Sequence, residues 1–149
     1  MVPDPIAYEV LFRRDLAQFL HDAGVGVYRP VGSYVAGERG IYTHGAAMPT
    51  VAGSDNAIVL RSLSSVPSGR ADMLYRVQIE SRVKGGPIDA ENCAAALSTA
   101  LDQKQNVPPG MFVAWCSLFS QLPISADTSG RSGTYSTYHF MGRRPLPAG

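Results

Sequence analysis

The sequence predicts a single small α+β domain, 1–149, with two helices packed on one face of a mixed or antiparallel sheet of about four to five strands. Apolar and polar residues alternate from Leu74 to Val83, which is typical of a half-buried strand. Apolar residues recur at helical spacing within 4–24 and again within 88–105. A chain of 149 residues is long enough to bury one core without metal or disulfide support.

The first helix is predicted over 4–24. Asp4 suits the N-cap position and Pro5 the first helical position, where a missing N–H costs nothing. Phe12, Leu16 and Leu20 fall on one apolar stripe. Gly24 is expected to end the helix in the left-handed conformation.

A glycine-rich segment, Gly32 to Asn56, follows a short strand candidate at Val25 to Tyr28. We interpret the segment as mostly loop, with a brief strand at Ile41 and Tyr42. A connection this long inside a small domain is usually functional or wrongly assigned.

A hairpin is predicted over 57–83. Its first strand, Ala57 to Leu63, begins with apolar residues on both faces, which indicates a strand covered on two sides. Its second strand is the alternating stretch Met73 to Val83. The polar link 64–71 is expected to be a flexible loop that projects from the sheet.

The second helix is predicted over 88–105. Asp89 is expected to be its N-cap, with Ile88 packed against Cys93 on the first turn. Lys104 is expected in the last turn, because the two prolines that follow forbid continuation. The predicted buried stripe consists of Cys93, Leu97, Ala100 and Leu101.

A second hairpin is predicted over 112–142. Its strands are Phe112 to Phe119, expected to be buried on both faces, and Tyr135 to Met141. The stretch between them, Gln121 to Ser132, is expected to be a long loop. The proline-rich tail, 143–149, is expected to be an extended arm.

Composition and motifs favour a protein without catalytic chemistry. The formal charge of +1 gives no whole-molecule field for nucleic acid or a membrane surface. His21, His44 and His139 are scattered, and we found neither a phosphate loop nor a nucleophile elbow. We therefore expect no enzyme activity, no catalytic or metal-binding residue and no cofactor. Both cysteines suit a reducing compartment, and no apolar run is long enough to span a membrane.

The sequence resembles the tail terminator proteins of long-tailed, siphovirus-type bacteriophages, especially the actinobacteriophage type often labelled minor capsid or minor tail protein. The resemblance extends from about Leu16 to Arg143 and depends on structural motifs without a chemical signature. The matching parts are the leading helix into Ala23 to Tyr28, then Tyr34, Gly37, Glu38, Gly40 and Ile41, then Arg82 to Pro87, and the closing strand that stops at Arg143.

The resemblance implies a mechanical role. Such proteins form a hexameric ring on the last ring of tail tube protein, stop tube growth and present a surface to the head-tail connector or stopper protein. It implies a location at the head-proximal end of the tail, after assembly in the host cytoplasm, with genomic DNA passing through the lumen without specific binding. We expect no membrane partner.

Subunit or lumen contacts are expected from the segment Gly32 to Asn56, the loop Gln121 to Ser132 and the polar face of the alternating strand. Ring subunits need a heterologous interface that closes, and such segments supply it. The candidate interface residues are Tyr34, Glu38, Arg39, Arg76, Gln78, Glu80, Arg82 and Arg131.

Two alternatives remain at this stage. One is a head-completion or stopper protein of the connector, which would bind the portal-side ring. The other is a small ligand-binding domain or enzyme, which would require a polar pocket.

Overall fold

The computed structural model of the protein describes residues 6–43, 47–51, 53–69 and 72–143. Within these ranges the chain forms two helices and five strands. In chain order they are α1 (Tyr8–Asp22), β1 (Gly40–Tyr42), β2 (Ala57–Pro67), β3 (Asp72–Lys84), α2 (Pro87–Leu101), β4 (Val113–Ile124) and β5 (Arg131–Arg143).

The five strands form one mixed sheet in the order β1-β2-β3-β5-β4. β1 runs parallel to β2, and every other neighbouring pair is antiparallel. Strands β2 and β3 form one hairpin and β4 and β5 another, with β5 inserted between β3 and β4. Both helices pack on one face of the sheet, which confirms the predicted α+β class.

Aromatic rings join helix α1 to the centre of the sheet. The Phe12 ring stacks on Tyr75 with centroids 5.4 Å apart and meets Phe140 edge to face at 5.0 Å. Burial of large apolar side chains is the main favourable contribution to folding, and these rings lie where α1 crosses β3 and β5. The other large, fully buried side chains of the core include Leu16, Leu20, Ile41, Ile58, Leu60, Ile79, Leu97, Leu101 and Tyr138.

Helix α1 begins later than predicted. Ala7 has extended dihedral angles, and its carbonyl oxygen accepts hydrogen bonds from the N–H groups of Val10 and Leu11. The predicted cap, Asp4 with Pro5, lies outside the described residues. At the other end the prediction is correct in kind, since Gly24 follows the helix with φ of +78°.

Helix α2 starts one residue earlier than predicted and ends four residues sooner. Gly86 is the N-cap residue, and Asp89 lies three positions later, where its Oδ2 accepts the Gly86 N–H at 3.1 Å. Asp89 therefore caps the helix from its third residue, N3, and not from the predicted N-cap position. Ile88 is 72% exposed, so the predicted contact with Cys93 is wrong. Lys104 lies beyond the helix, where its carbonyl oxygen pairs with β4.

Two predicted loops are largely strand. β2 continues through residues 64–67 after a register shift between Leu63 and Val66, while Arg70 and Ala71 lie outside the described residues. β4 continues to Ile124 and β5 begins at Arg131, so the predicted long loop shrinks to the six residues 125–130.

The first part of β5 was not predicted as strand because it is rich in serine and threonine. Ser132, Thr134 and Ser136 are buried, and the Thr134 hydroxyl lies 2.7 Å from that of Ser81 on β3. The hydroxyls of Ser132 and Ser136 are buried without a hydrogen-bond partner among the described residues. Helix α2, which packs on β5, also contributes small buried residues: Ala90, Cys93 and Ala94.

The early part of the chain contributes little to the sheet. Of the strand predicted from Val25 to Tyr28, Val27 makes a single parallel bridge to Gly40. The brief strand predicted at Ile41 and Tyr42 is present as β1. Residues 144–149 of the predicted tail lie outside the described residues.

Candidate assembly interface

Both edges of the sheet are partly covered. At the β1 edge, Val27 donates its N–H to the Arg39 carbonyl at 2.8 Å and accepts the Ile41 N–H at 2.9 Å. At the β4 edge, the segment after α2 provides acceptors. The Cys116 N–H donates to the Lys104 carbonyl, and the Leu118 N–H donates to a carboxylate oxygen of Asp102, both at 2.8 Å.

Pro123 near the end of β4 has no N–H to offer a further strand. Natural sheets limit edge-to-edge association by this means and by covering the edge. With its edges partly covered, the sheet is exposed mainly on the face opposite the helices, which we call the outer face.

The part of this face formed by β4 and β5 is rich in exposed apolar side chains. We call it the apolar half of the outer face and define it as Trp115, Phe119, Leu122 and Tyr135, which are 41, 67, 62 and 37% exposed. Leu122 lies opposite Tyr135 in the β4–β5 pairing, so the two side chains share the face. Exposed apolar side chains that share one face commonly mark interaction sites.

Phe119 is placed on the outer face by an irregularity in β4. The strand register shifts between Leu118 and Ser120, which leaves Phe119 as the extra residue of a bulge. Its ring stacks on that of His139 with centroids 4.2 Å apart and planes inclined by 13°. Burial, together with the positive charge of Arg76, lowers the pKa of His139 below its usual value.

The part of the face formed by β2 and β3 is charged. We define this charged half as Arg61, Arg76, Gln78, Glu80 and Arg82. Arg61 makes an ion pair with Glu80 at 2.7 Å, and its Nη1 lies 3.5 Å from the side-chain oxygen of Gln78. Arg76 donates two hydrogen bonds to the Ser64 carbonyl, at 2.9 and 2.7 Å. The polar face predicted for this strand therefore exists, but its members are engaged within the molecule.

Arg82 anchors the end of the glycine-rich segment. Its guanidinium donates to the carbonyl oxygens of Pro49, Ser54 and Asp55. Burial is the first cause that lowers the pKa of this guanidinium, followed by the charge of Arg131. Arg82 thus acts as a clamp that links β3 to residues 49–51 and 53–55.

Tyr34, Glu38 and Arg39 also hold the glycine-rich segment together. The Tyr34 hydroxyl donates to the Ile41 carbonyl, and burial raises its pKa. Glu38 accepts from Arg29 at 2.7 Å and from the Val35 N–H at 2.6 Å. Arg39 donates to the Val25 carbonyl at 3.2 Å.

Arg131 lies at the start of β5, 2.8 Å from Asp127 and 3.7 Å from Asp55. The carbonyl oxygen of Asp55 also accepts a hydrogen bond from Arg82, so Arg131 lies beside the Arg82 clamp. The eight residues predicted for an interface form two sets, one within the glycine-rich segment and one on β3 and its neighbours. Their role in contacts between subunits stays a prediction.

The apolar half was missed by sequence reasoning. The predicted strand Phe112 to Phe119 is apolar on both sides, and this pattern does not show which of its rings are exposed in the fold. Pro123 was the available signal, because a proline within a strand indicates an edge.

Within the described ranges, no group of three or more His, Cys, Asp or Glu side chains is arranged to hold a metal ion. A search of the same residues finds no helix with the length and hydropathy to cross a membrane.

No protein-family model matches the sequence, and no curated protein matches it either. Among solved structures, the chain is similar to a chain from the virion of a native gene transfer agent particle, with a TM-score of 0.63. The match covers 93% of this chain and 100% of that chain, at 12% sequence identity. This likeness establishes a shared fold over nearly the whole length of both chains.

Proposed function

We propose that this protein is a non-enzymatic structural component of a phage-like virion. The observation that carries the proposal is the shared fold with a chain of the gene transfer agent virion, which extends over 93% of this chain. Because the match also covers 100% of that chain, the whole domain of this protein, and not a part of it, is assigned to the virion.

Within the virion we assign it the role of tail terminator. Subunits form a hexameric ring on the tail tube protein, end tail elongation, and offer the opposite surface of the ring to the head-tail connector or stopper protein. The resemblance of the sequence to tail terminators supports this finer assignment.

The outer face has the mixture of side chains that such contacts need. Apolar side chains next to a charged region are typical of interfaces, which combine a dehydrated centre with a polar rim. Because the sheet edges are partly covered, the apolar half, centred on Phe119 and Leu122, is the surface that we assign to a neighbouring virion subunit. The internally paired charges of Arg61 and Glu80 suit a lumen through which DNA slides without being gripped.

Deletion of the gene from the phage or phage-like element that encodes it tests the role directly. Electron micrographs should show tails that exceed the normal length. Tails of normal length on filled heads would eliminate the tail terminator role and leave a different virion role or none. Tails of normal length beside unjoined or leaking heads would favour the stopper role.

Complementation with altered protein tests the surface. Phe119→Ser combined with Leu122→Ser should give folded protein that no longer restores tail length. The matched control is Ile88→Ser, which removes a 72% exposed apolar side chain from helix α2, on the other side of the sheet. Equal complementation by both proteins would refute the apolar half as the contact surface.

A further inference from the structure

An open cavity of about 770 Å³ lies between helix α1 and the glycine-rich segment. Its volume falls within the range of roughly 300–1,000 Å³ that is usual for ligand clefts. The lining is both charged and apolar, and the charged members are three arginines and one glutamate: Arg13, Arg14, Arg29 and Glu38.

The Arg29 guanidinium is only partly satisfied. Its Nη2 lies 2.7 Å from Glu38, whereas its Nη1 is buried and has no hydrogen-bond partner among the described residues. The side chain as a whole is 34% exposed, so the guanidinium meets the cavity through its other atoms and not through Nη1. A carboxylate in the cavity would add a charged acceptor on that accessible side.

Arg13 and Arg14 bring two further positive charges to the cavity from α1. Arg13 is held in place by the Thr43 carbonyl at 3.0 Å and the Ser62 hydroxyl at 2.7 Å. Burial first, and then the neighbouring charge of Arg14, lower the pKa of Arg13, although Glu9 acts in the opposite direction. Arg14 is exposed and makes no hydrogen bond or ion pair within the described part of the chain.

The remaining wall favours a ligand with an apolar portion. Tyr28, Pro30, Val31 and Val51 line the cavity beside the arginines. A planar guanidinium matches a carboxylate through two parallel hydrogen bonds. The combination of carboxylate and apolar contacts suits an acidic polypeptide segment better than a nucleic acid, because the walls include no dense basic surface to follow a phosphate backbone.

We propose that this cavity binds an acidic peptide segment of a neighbouring virion protein, with a carboxylate held by Arg29 and Arg14. The identity of the neighbour as a virion protein rests on the proposed function. The isolated protein should bind a carboxylate peptide, because this binding depends only on the cavity.

The experiment uses the purified full-length protein and hexaglutamate as the probe, with NMR signals of the arginine Nε–H groups as the readout. Hexaglutamate should shift the Arg29 and Arg14 signals saturably at low salt. Arg14→Gln should weaken the binding about tenfold, as expected for the loss of a hydrogen bond between charged groups.

Lys104→Gln is the matched control, since it removes one exposed positive charge near β4, at the opposite edge of the sheet. Binding by this control should equal that of the unaltered protein. An equal loss in both variants would mean attraction to net charge alone and would overturn the assignment.

A twelve-nucleotide oligothymidine serves as the second arm. If it shifts the same arginine signals and hexaglutamate does not, the carboxylate assignment is overturned in favour of phosphate. Absence of any shift overturns the site altogether. These outcomes leave the tail-length experiment untouched, so failure of the cavity and failure of the virion role are distinguishable.

Discussion

Arg82 on β3 donates a hydrogen bond from Nη2 to the carbonyl oxygen of Pro49 at 2.8 Å, although 33 positions separate the two residues. Together with the bonds to Ser54 and Asp55, this contact ties one end of the glycine-rich segment to the sheet. The earlier part of the segment is fixed separately, by the hydrogen bonds of Tyr34, Glu38 and Arg39.

Arg82→Ala should therefore loosen residues 47–51 and 53–56. We expect faster amide hydrogen exchange there and a loss of about 1 to 3 kcal/mol in the free energy of unfolding, since several carbonyl groups lose a charged donor. The control, Lys84→Ala, alters a side chain that is 70% exposed and should change stability by less than about 0.5 kcal/mol. Unchanged exchange in Arg82→Ala would contradict the clamp.

Leu97→Asp should severely destabilise the protein. Leu97 is fully buried where α2 meets the sheet, and burying a carboxylate without a partner costs several kcal/mol or forces its protonation. Ala95→Asp places the same group on the exposed side of the same helix and should be nearly neutral. Thermal unfolding of both variants measures the difference, and similar melting temperatures would be inconsistent with this packing.

His139 should titrate below its usual pKa of 6.5, because its ring is covered by Phe119 and faces the charge of Arg76. As the pH falls, His139 therefore takes up a proton at a higher pH in the unfolded chain than in the folded protein. The contribution of His139 to stability is thus complete above pH 6.5 and declines as the pH falls from there through the folded pKa.

Phe119→Ala and Arg76→Gln should each raise the pKa of His139, because the first uncovers one side of the ring and the second removes a nearby positive charge. NMR titration of the imidazole signals measures both. A fall in the pKa in either variant would refute the assigned cause.

Both cysteine thiols should resist labelling in the folded protein. Burial raises the pKa of Cys116 to about 12 and also raises that of Cys93, so little thiolate forms at pH 8. A disulfide reagent such as Ellman's should react with both thiols only after denaturant is added. Rapid reaction of the native protein would show that one of these sites opens readily.

Local sequence patterns were sufficient to indicate most of the elements. The stripe of Phe12, Leu16 and Leu20 indicated α1, and alternation indicated β3, because each pattern reports the period of the structure that contains it. Element ends were less well determined. Asp89 suits a cap at two different positions, and the choice depends on which backbone N–H its carboxylate reaches.

The tertiary structure alone decided what lies next to what. The insertion of β5 between β3 and β4 and the parallel pairing of β1 with β2 depend on hydrogen bonds between distant residues, which no local pattern encodes. The same holds for the candidate interface. Phe119 is exposed because a bulge turns it outward, and Arg82 is engaged because a remote loop supplies carbonyl groups. Sequence shows which side chains are apolar or charged, but exposure and partners are properties of the assembled sheet.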